Sequence, residues 1–208
     1  MLFRSARLTA SFPNPFDGAE GLGRSVAIAG DLIVAGADLY DFFGKTSDEG
    51  AAFVYLRPPG GWSGNLTESA RLTASNPDPF GQTERFGRAV AADGDTIVVG
   101  AEGYDLVASN TDEGVAFVFE RPPGGWSGQL VEDAQLRASV PNPFGSDEFF
   151  ASAVAIEGDR IAAVGKTADL EPRFGSSNRV ISARGKVVLP GLVDSHIHTA
   201  FQIGRAHV

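Results

Sequence analysis

The stretch "FGRAVAADGDTIVVGA" at residues 86–101 decides how this chain folds. Two apolar runs flank Asp93-Gly94, a dipeptide that favours a tight hairpin turn, so residues 86–92 and 95–101 are expected to pair as antiparallel strands. After a polar loop, "GVAFVFER" at 114–121 has the β-branched and aromatic content of a third strand. "RPPGGWSG" at 121–128 then turns the chain toward "AQLRAS" at 134–139, a fourth short strand.

The same pattern recurs in both directions. "ARLTAS" begins at Ala6, recurs at Ala70 and returns as "AQLRAS" at Ala134, a constant period of 64 residues. Residues 6–69 and 70–133 are identical at 38 of 64 positions without a gap, including "RPPGGWSG" at 57–64 and 121–128. A third copy runs through "VPNPFGSDEFFASAVAIEGDRI" and loses the register just after Ile161. Gly36 and Gly100 predict glycine at 164, where Val164 stands. Four antiparallel strands per unit describe a propeller blade. A solenoid is the weaker reading, because a unit this long with hairpin signals closes into a sheet of its own.

Phe86-Gly87 followed by "IVVGA", and Leu22-Gly23 followed by "IVAGA" one copy earlier, resemble the FG-GAP repeat of integrin-type β-propellers, in the form found in large bacterial surface and secreted proteins. Proline is missing after Gly-Ala, and Phe150-Ala151 replaces Phe-Gly in the third copy. The expected fold is all-β: an incomplete β-propeller of about two and a half four-stranded blades over residues 1–161, then a short β segment. The resemblance implies seven blades in a closed ring, so exposed sheet edges, an uncovered face between blades and marginal stability are expected of this chain alone.

Composition agrees with that class. Gly at 26 and Pro at 12, with one Met, favour turns and short strands over helices. No cysteine is present, which excludes a disulfide framework and a thiolate metal site. No apolar run is long enough to span a bilayer, and "MLFRSARLTA" is too short and polar for a signal peptide, so any export signal is expected upstream. Residues 1–165 carry 11 Lys/Arg against 23 Asp/Glu, and residues 166–208 carry 6 against 3. The acidic first part argues against nucleic acid as a partner, since phosphate binding needs clustered Lys and Arg.

Many FG-GAP repeats hold calcium in an Asp-rich loop between the strand after Phe-Gly and the strand before Gly-Ala, and calcium wants six to eight oxygens. Here that loop is only "IAGDL" at 28–32 and "ADGDT" at 92–96, too short to wrap an ion, so calcium is not expected there. A second acidic cluster lies in the longer loop, where Asp38, Asp41, Asp48 and Glu49 align with Glu102, Asp105, Asp112 and Glu113. Two readings stand: a shared cation, or acids that cap turns and keep loop tips soluble. Trp62 and Trp126, each after Pro-Pro-Gly-Gly, are read as packing against their blade, with a sugar or protein contact as the alternative. Residues 1–161 contain no histidine, so no Ser/His/Asp arrangement exists there.

From "GDRIAAVG" onward the pattern changes. "KTADLEPRFGSSNRVISARGKVVLPGLVDSHIHTAF" resembles the opening of the amidohydrolase superfamily, in which a small β-sandwich leads into strand one of a (β/α)-barrel. By that resemblance residues 162–201 are an amidohydrolase N-terminal β segment with the first barrel strand. His196 and His198 match the superfamily's first His-x-His, which binds a divalent metal, zinc or iron. Residues two apart on a strand point to the same side, so both imidazoles could reach one ion. The further ligands and the acting carboxylate come from later barrel strands, so no catalytic residue is assigned to this chain.

"IGRAHV" at 203–208 is similar to the translation of a common sequencing adapter, and residues 202–208 are read as an artefactual tail, His207 included. "GDLIVAG", "GDTIVVG" and "GDRIAAVG" are nearly alike, which suggests a chimeric join near residues 158–165; a natural two-domain protein is the alternative. The expected function is that of a secreted or surface β-propeller fragment with a binding or structural role, its ligand a protein or carbohydrate. The alternative is a metal-dependent amidohydrolase cleaving amide or cyclic amide C–N bonds, cytoplasmic and represented only by its opening segment.

Overall fold

The computed structural model describes residues 6–11, 21–41, 48–76, 83–106, 112–139, 149–157 and 160–166. Their regular structure is entirely β. The first copy contributes β1 (Ala6–Thr9), β2 (Val26–Ala29), β3 (Leu32–Ala37), β4 (Ala51–Leu56) and β5 (Gly64–Thr67). The second contributes β6 (Ala70–Thr73), β7 (Phe86–Asp93), β8 (Thr96–Ala101), β9 (Val115–Glu120) and β10 (Gly128–Val131). The third contributes β11 (Ala134–Leu136), β12 (Ala153–Glu157) and β13 (Arg160–Gly165).

Two four-stranded antiparallel blades result. Blade one is β2-β3-β4-β6 and blade two is β7-β8-β9-β11. The outermost strand of each comes from the "ARLT" or "AQL" that opens the next copy. β12 and β13 form the hairpin that begins a third blade. The expected all-β blades are present, with the first three strands of the second copy within one residue of the limits read from the sequence and β11 ending at Leu136, three residues short of "AQLRAS". The β7–β8 turn falls one residue later than expected: Asp93 pairs with Thr96, and Gly94-Asp95 make the bend, with Gly94 at φ +55°. That left-handed position is where glycine costs least.

Sequence reasoning missed one strand per copy. β5 lies parallel to β1, and β10 lies parallel to β6, on the outer edge of the blade before its own. Each copy therefore straps itself to its predecessor. "GNLT" and "GQLV" carry no hairpin signal, because a parallel partner 58 residues away leaves no local turn to read. The strap ends in a carboxylate clamp: Glu132 accepts hydrogen bonds from the backbone N–H and Oγ of Ser75, both at 2.7 Å. Glu68 accepts the same pair from Ser11 in the copy before.

The main core lies between the blades. Leu32, Val34, Val54 and Leu72 of blade one meet Phe86, Ile97, Val99, Phe117 and Phe119 of blade two, with Trp126 closing one side. Phe86 is buried, its ring 5.2 Å from Phe117 and edge-on to Phe119 at 6.1 Å. Burying one such ring stabilises by about 1.5–3 kcal/mol. Trp126 packs in this core and Trp62 against the opposite face of blade one, as expected of both. Beyond blade two, Val98, Ala116 and Val118 pack against Ala151, Val154, Ile156, Ile161 and Val164.

Candidate functional site

The Phe-Gly and Gly-Ala motifs turn out to be two halves of one joint. Phe86 donates its backbone N–H to the carbonyl of Glu49 at 3.0 Å, and Arg85 donates to the carbonyl of Asp48 at 3.1 Å. The following carbonyl, Gly87 O, enters the space beside Gly36 of β3, where a Cβ would stand 2.0 Å from it. Gly50 is the matching gap at the loop end: its Cβ would stand 2.1 Å from Phe86 O. Only glycine admits a neighbouring backbone this close. The joint repeats at the next interface, where Phe150 N–H meets Glu113 O at 3.0 Å and a Cβ on Gly100 would stand 2.1 Å from Ala151 O.

The acidic cluster of the long loop builds this joint. Asp41 accepts the N–H of Asp48 at 2.9 Å, and Asp105 accepts the N–H of Asp112 at 2.6 Å, so each closes the neck of its loop. Glu113 accepts the N–H of Leu106 at 2.6 Å. Asp48 and Asp112 take positive φ, 43° and 52°, a conformation Asp tolerates better than most residues. This arrangement presents the carbonyls of residues 48–49 and 112–113 to the incoming Phe-Gly turn. Of the two readings of these acids, the hydrogen bonds of Asp41, Asp105 and Glu113 follow the turn-capping one.

Asp38 and Glu102 do something different. Asp38 is 1% exposed and faces two guanidinium groups, Arg24 Nε at 3.3 Å and Arg88 Nη1 at 3.6 Å. Arg88 also donates to Glu102 through Nε at 2.9 Å, and Arg85 reaches Glu102 at 3.3 Å. The charges thus alternate across the junction from blade one to blade two. Burial raises the Asp38 carboxyl above its ordinary value, and the charges of Arg24 and Arg88 oppose that rise. Arg24 and Arg88 were legible in principle, since both follow the glycine of their Phe-Gly or Leu-Gly pair in register. The third copy has Ser152 at that place and Lys166 where Asp38 and Glu102 stand, so the network has no continuation there.

The loops expected to be too short for calcium are two-residue hairpin turns, with Ala29 paired to Leu32 and Asp93 to Thr96. Among the described residues no group of three or more His, Asp or Glu is placed to hold a metal ion. A polar cleft of about 170 Å³ opens at the second junction, lined by Thr83, Arg85, Glu102, Gly103, Asp112 and Phe149. It falls below the roughly 300 Å³ at which small-molecule sites begin. His196 and His198 lie outside the described residues, as does the rest of the segment from 167 onward. No donor set for zinc or iron can be assembled from the described residues.

Comparison with known proteins separates the same two regions. An "Imidazolonepropionase-like composite domain, bacteria" matches residues 153–175. Imidazolonepropionase from Anaeromyxobacter sp. (strain K) is 52% identical over 56 residues, 26% of this chain and 13% of that protein. The protein of the same name from Rubrobacter xylanophilus is 44% identical over 57 residues, 26% of this chain and 14% of its own length. 5-Methylthioadenosine/S-adenosylhomocysteine deaminase 1 from Syntrophus aciditrophicus is 48% identical over 48 residues, 23% and 11% respectively. The chain thus spans about an eighth of the length of these relatives. The repeat profile described as "FG-GAP repeat" matches residues 4–55 and 66–119, just over half of the chain, and those are the residues that form the joint described above. This chain belongs to the FG-GAP repeat family.

Proposed function

We propose that the FG-GAP part of this chain is a non-catalytic binding or scaffolding module of a secreted or surface protein, acting through the loops that its blades display. The observation that carries this reading is the use of the acidic side chains. Asp38, Asp41, Glu102, Asp105 and Glu113 are spent on loop necks and the inter-blade ion pairs, leaving them to hold shape. Loops held on a rigid sheet scaffold suit recognition of a protein or carbohydrate surface. The acidic balance of residues 1–165 disfavours nucleic acid. Among the described residues no helix is long and apolar enough to cross a membrane. A glycan array and a pull-down from a cell-surface fraction test the reading; failure of loop substitutions at 42–47 and 107–111 to change any captured ligand contradicts it.

A second reading rests on its own observation, the imidazolonepropionase-like match at residues 153–175. It makes the chain's last quarter the opening of a metal-dependent amidohydrolase, with His196 and His198 as two ligands for zinc or iron. That match begins in the β12–β13 hairpin, which packs as a third blade would and also carries "GDRIAAVG". We read that hairpin as the join of two unrelated genes. Bound zinc in the purified chain distinguishes the readings: less than one equivalent and no amide hydrolysis supports the module, whereas a tight stoichiometric site with turnover supports the enzyme. Continuous read coverage of codons 155 to 170 from one genome contradicts the join.

A further inference from the structure

The turn that seats the β12–β13 hairpin repeats the turn before it, with more strain in it. In the first joint the turn residues at positive φ are Arg85 at 54° and Gly87 at 91°; in the second they are Phe149 at 49° and Ala151 at 65°. Ala151 does the work of Gly87, sending its carbonyl into the gap beside Gly100, but it does so with a Cβ in the left-handed region. A backbone held this way persists only where its surroundings enforce it.

Those surroundings are thinner at the second joint. Phe86 is buried, whereas Phe150 is only half-buried. Arg88 ties blade two to Asp38 of blade one, and its counterpart Ser152 brings no charge to the next joint. Across the first joint Leu32, Val34, Val54 and Leu72 are all buried against the rings of blade two. Across the second, Val154, Ile156, Ile161 and Val164 stay only partly buried against Val98, Ala116 and Val118.

We infer that the β12–β13 hairpin is a lid that swings off blade two as a unit, about the turn at 149–152, while the joint between blades one and two stays shut. Opening bares Val98, Ala116 and Val118, the face against which a third blade packs. A unit held by fewer buried apolar contacts opens at a lower free energy than the whole fold. The inference concerns this motion alone and does not depend on the loop reading above.

With no native cysteine in the chain, a single introduced thiol reports on one interface. Val98 and Val99 are neighbours on β8, both fully buried, and face opposite ways: Val98 lies under the hairpin and Val99 in the core between the blades. Val98→Cys and Val99→Cys are made separately in the full-length chain, and reaction with an aromatic disulfide reagent is timed in native buffer. Labelling at 98 should run at least about tenfold faster than at 99, which waits for the blades to part. Its rate should also climb less steeply with urea, because opening the lid releases less surface than unfolding. Ala116→Cys and Val115→Cys on β9 repeat the comparison, hairpin side against core side, should a β8 variant not fold. Ala151→Gly should slow labelling at 98 about fivefold by relieving the turn. Equal rates or equal urea slopes on the two sides overturn the lid, and an unchanged rate at 98 in Ala151→Gly overturns the turn as its pivot.

Discussion

Blade one and blade two are built from nearly the same run of residues, yet they are held differently. Blade one has the next Phe-Gly turn on its glycines, an arginine reaching back to its buried aspartate, and a strap along its edge. Blade two receives Phe150-Ala151 in place of Phe-Gly, Ser152 in place of the arginine, and no strap among the described residues. The difference teaches that an FG-GAP blade is completed by its successor: three separate devices belonging to copy two finish the blade of copy one.

The comparison can be broken hardest at Gly36. Valine there places a Cβ 2.0 Å from Gly87 O on a strand buried on both sides, and the two blades can no longer close on each other. A loss of more than about 3 kcal/mol is expected in urea titration, with the single transition splitting in two. Gly60→Ala, with nothing within 4 Å, is the silent control. Phe86→Ala should cost about 3–5 kcal/mol. Phe150→Ala should cost less than half as much, because that ring is only partly buried; equal losses would deny that the two joints differ.

Arg88→Gln removes one of the two cations facing Asp38 and the better donor to Glu102. A cost of about 1–2 kcal/mol is expected at neutral pH, well below that of breaking a fully buried pair, since Arg88 is partly solvated. The sign with pH follows from burial. The folded Asp38 carboxyl lies above its ordinary 3.8, so the folded state takes up a proton first and gains stability relative to the unfolded chain as pH falls through the raised value. The cost of Arg88→Gln should therefore shrink as the pH falls through that raised value toward 3.8.

Ala151→Gly sharpens the comparison in the opposite direction. Ala151 sits at φ +65° where its counterpart is Gly87, and relief of that conformation should stabilise the chain by about 1 kcal/mol. The smallest effect is expected at the strap clamp. Burial pushes Glu132 upward, but hydrogen bonds from Gln135 and Ser75 outweigh it and hold the carboxyl below its ordinary 4.5. Its contribution is present above that ordinary value and is lost as pH falls through the lowered folded one. Glu132→Gln should cost about 0.5–1 kcal/mol above the ordinary glutamate range, because the clamp is solvent-exposed. Most of that difference should vanish in acid.

The antiparallel strands were legible because each announces itself locally, through β-branched runs and the Asp93-Gly94 turn signal, which lies one residue ahead of the bend itself. The blade joint was half legible: "FG" and "GA" stand out as a motif, but nothing in one sequence says that Gly36 exists to admit the carbonyl of Gly87. The straps were hidden, since four residues with a partner 58 positions away leave no periodic trace. The acids of the long loop were visible as a cluster, and their role became plain only when Asp41 and Asp105 were found closing the loop necks. Val164 was readable as the end of the register. Its consequence is structural: with a side chain where Gly36 and Gly100 have none, β13 lacks the gap that would receive a further Phe-Gly turn.

Amide hydrogen exchange, resolved to peptides covering residues 70–73 and 134–136, puts the account to its most direct test. The two strands occupy the same place in successive copies, and among the described residues only the first carries a strap. Protection of residues 70–73 at least about tenfold above that of 134–136 is the expected result. Equal protection would contradict the claim that each blade is completed by the copy that follows it.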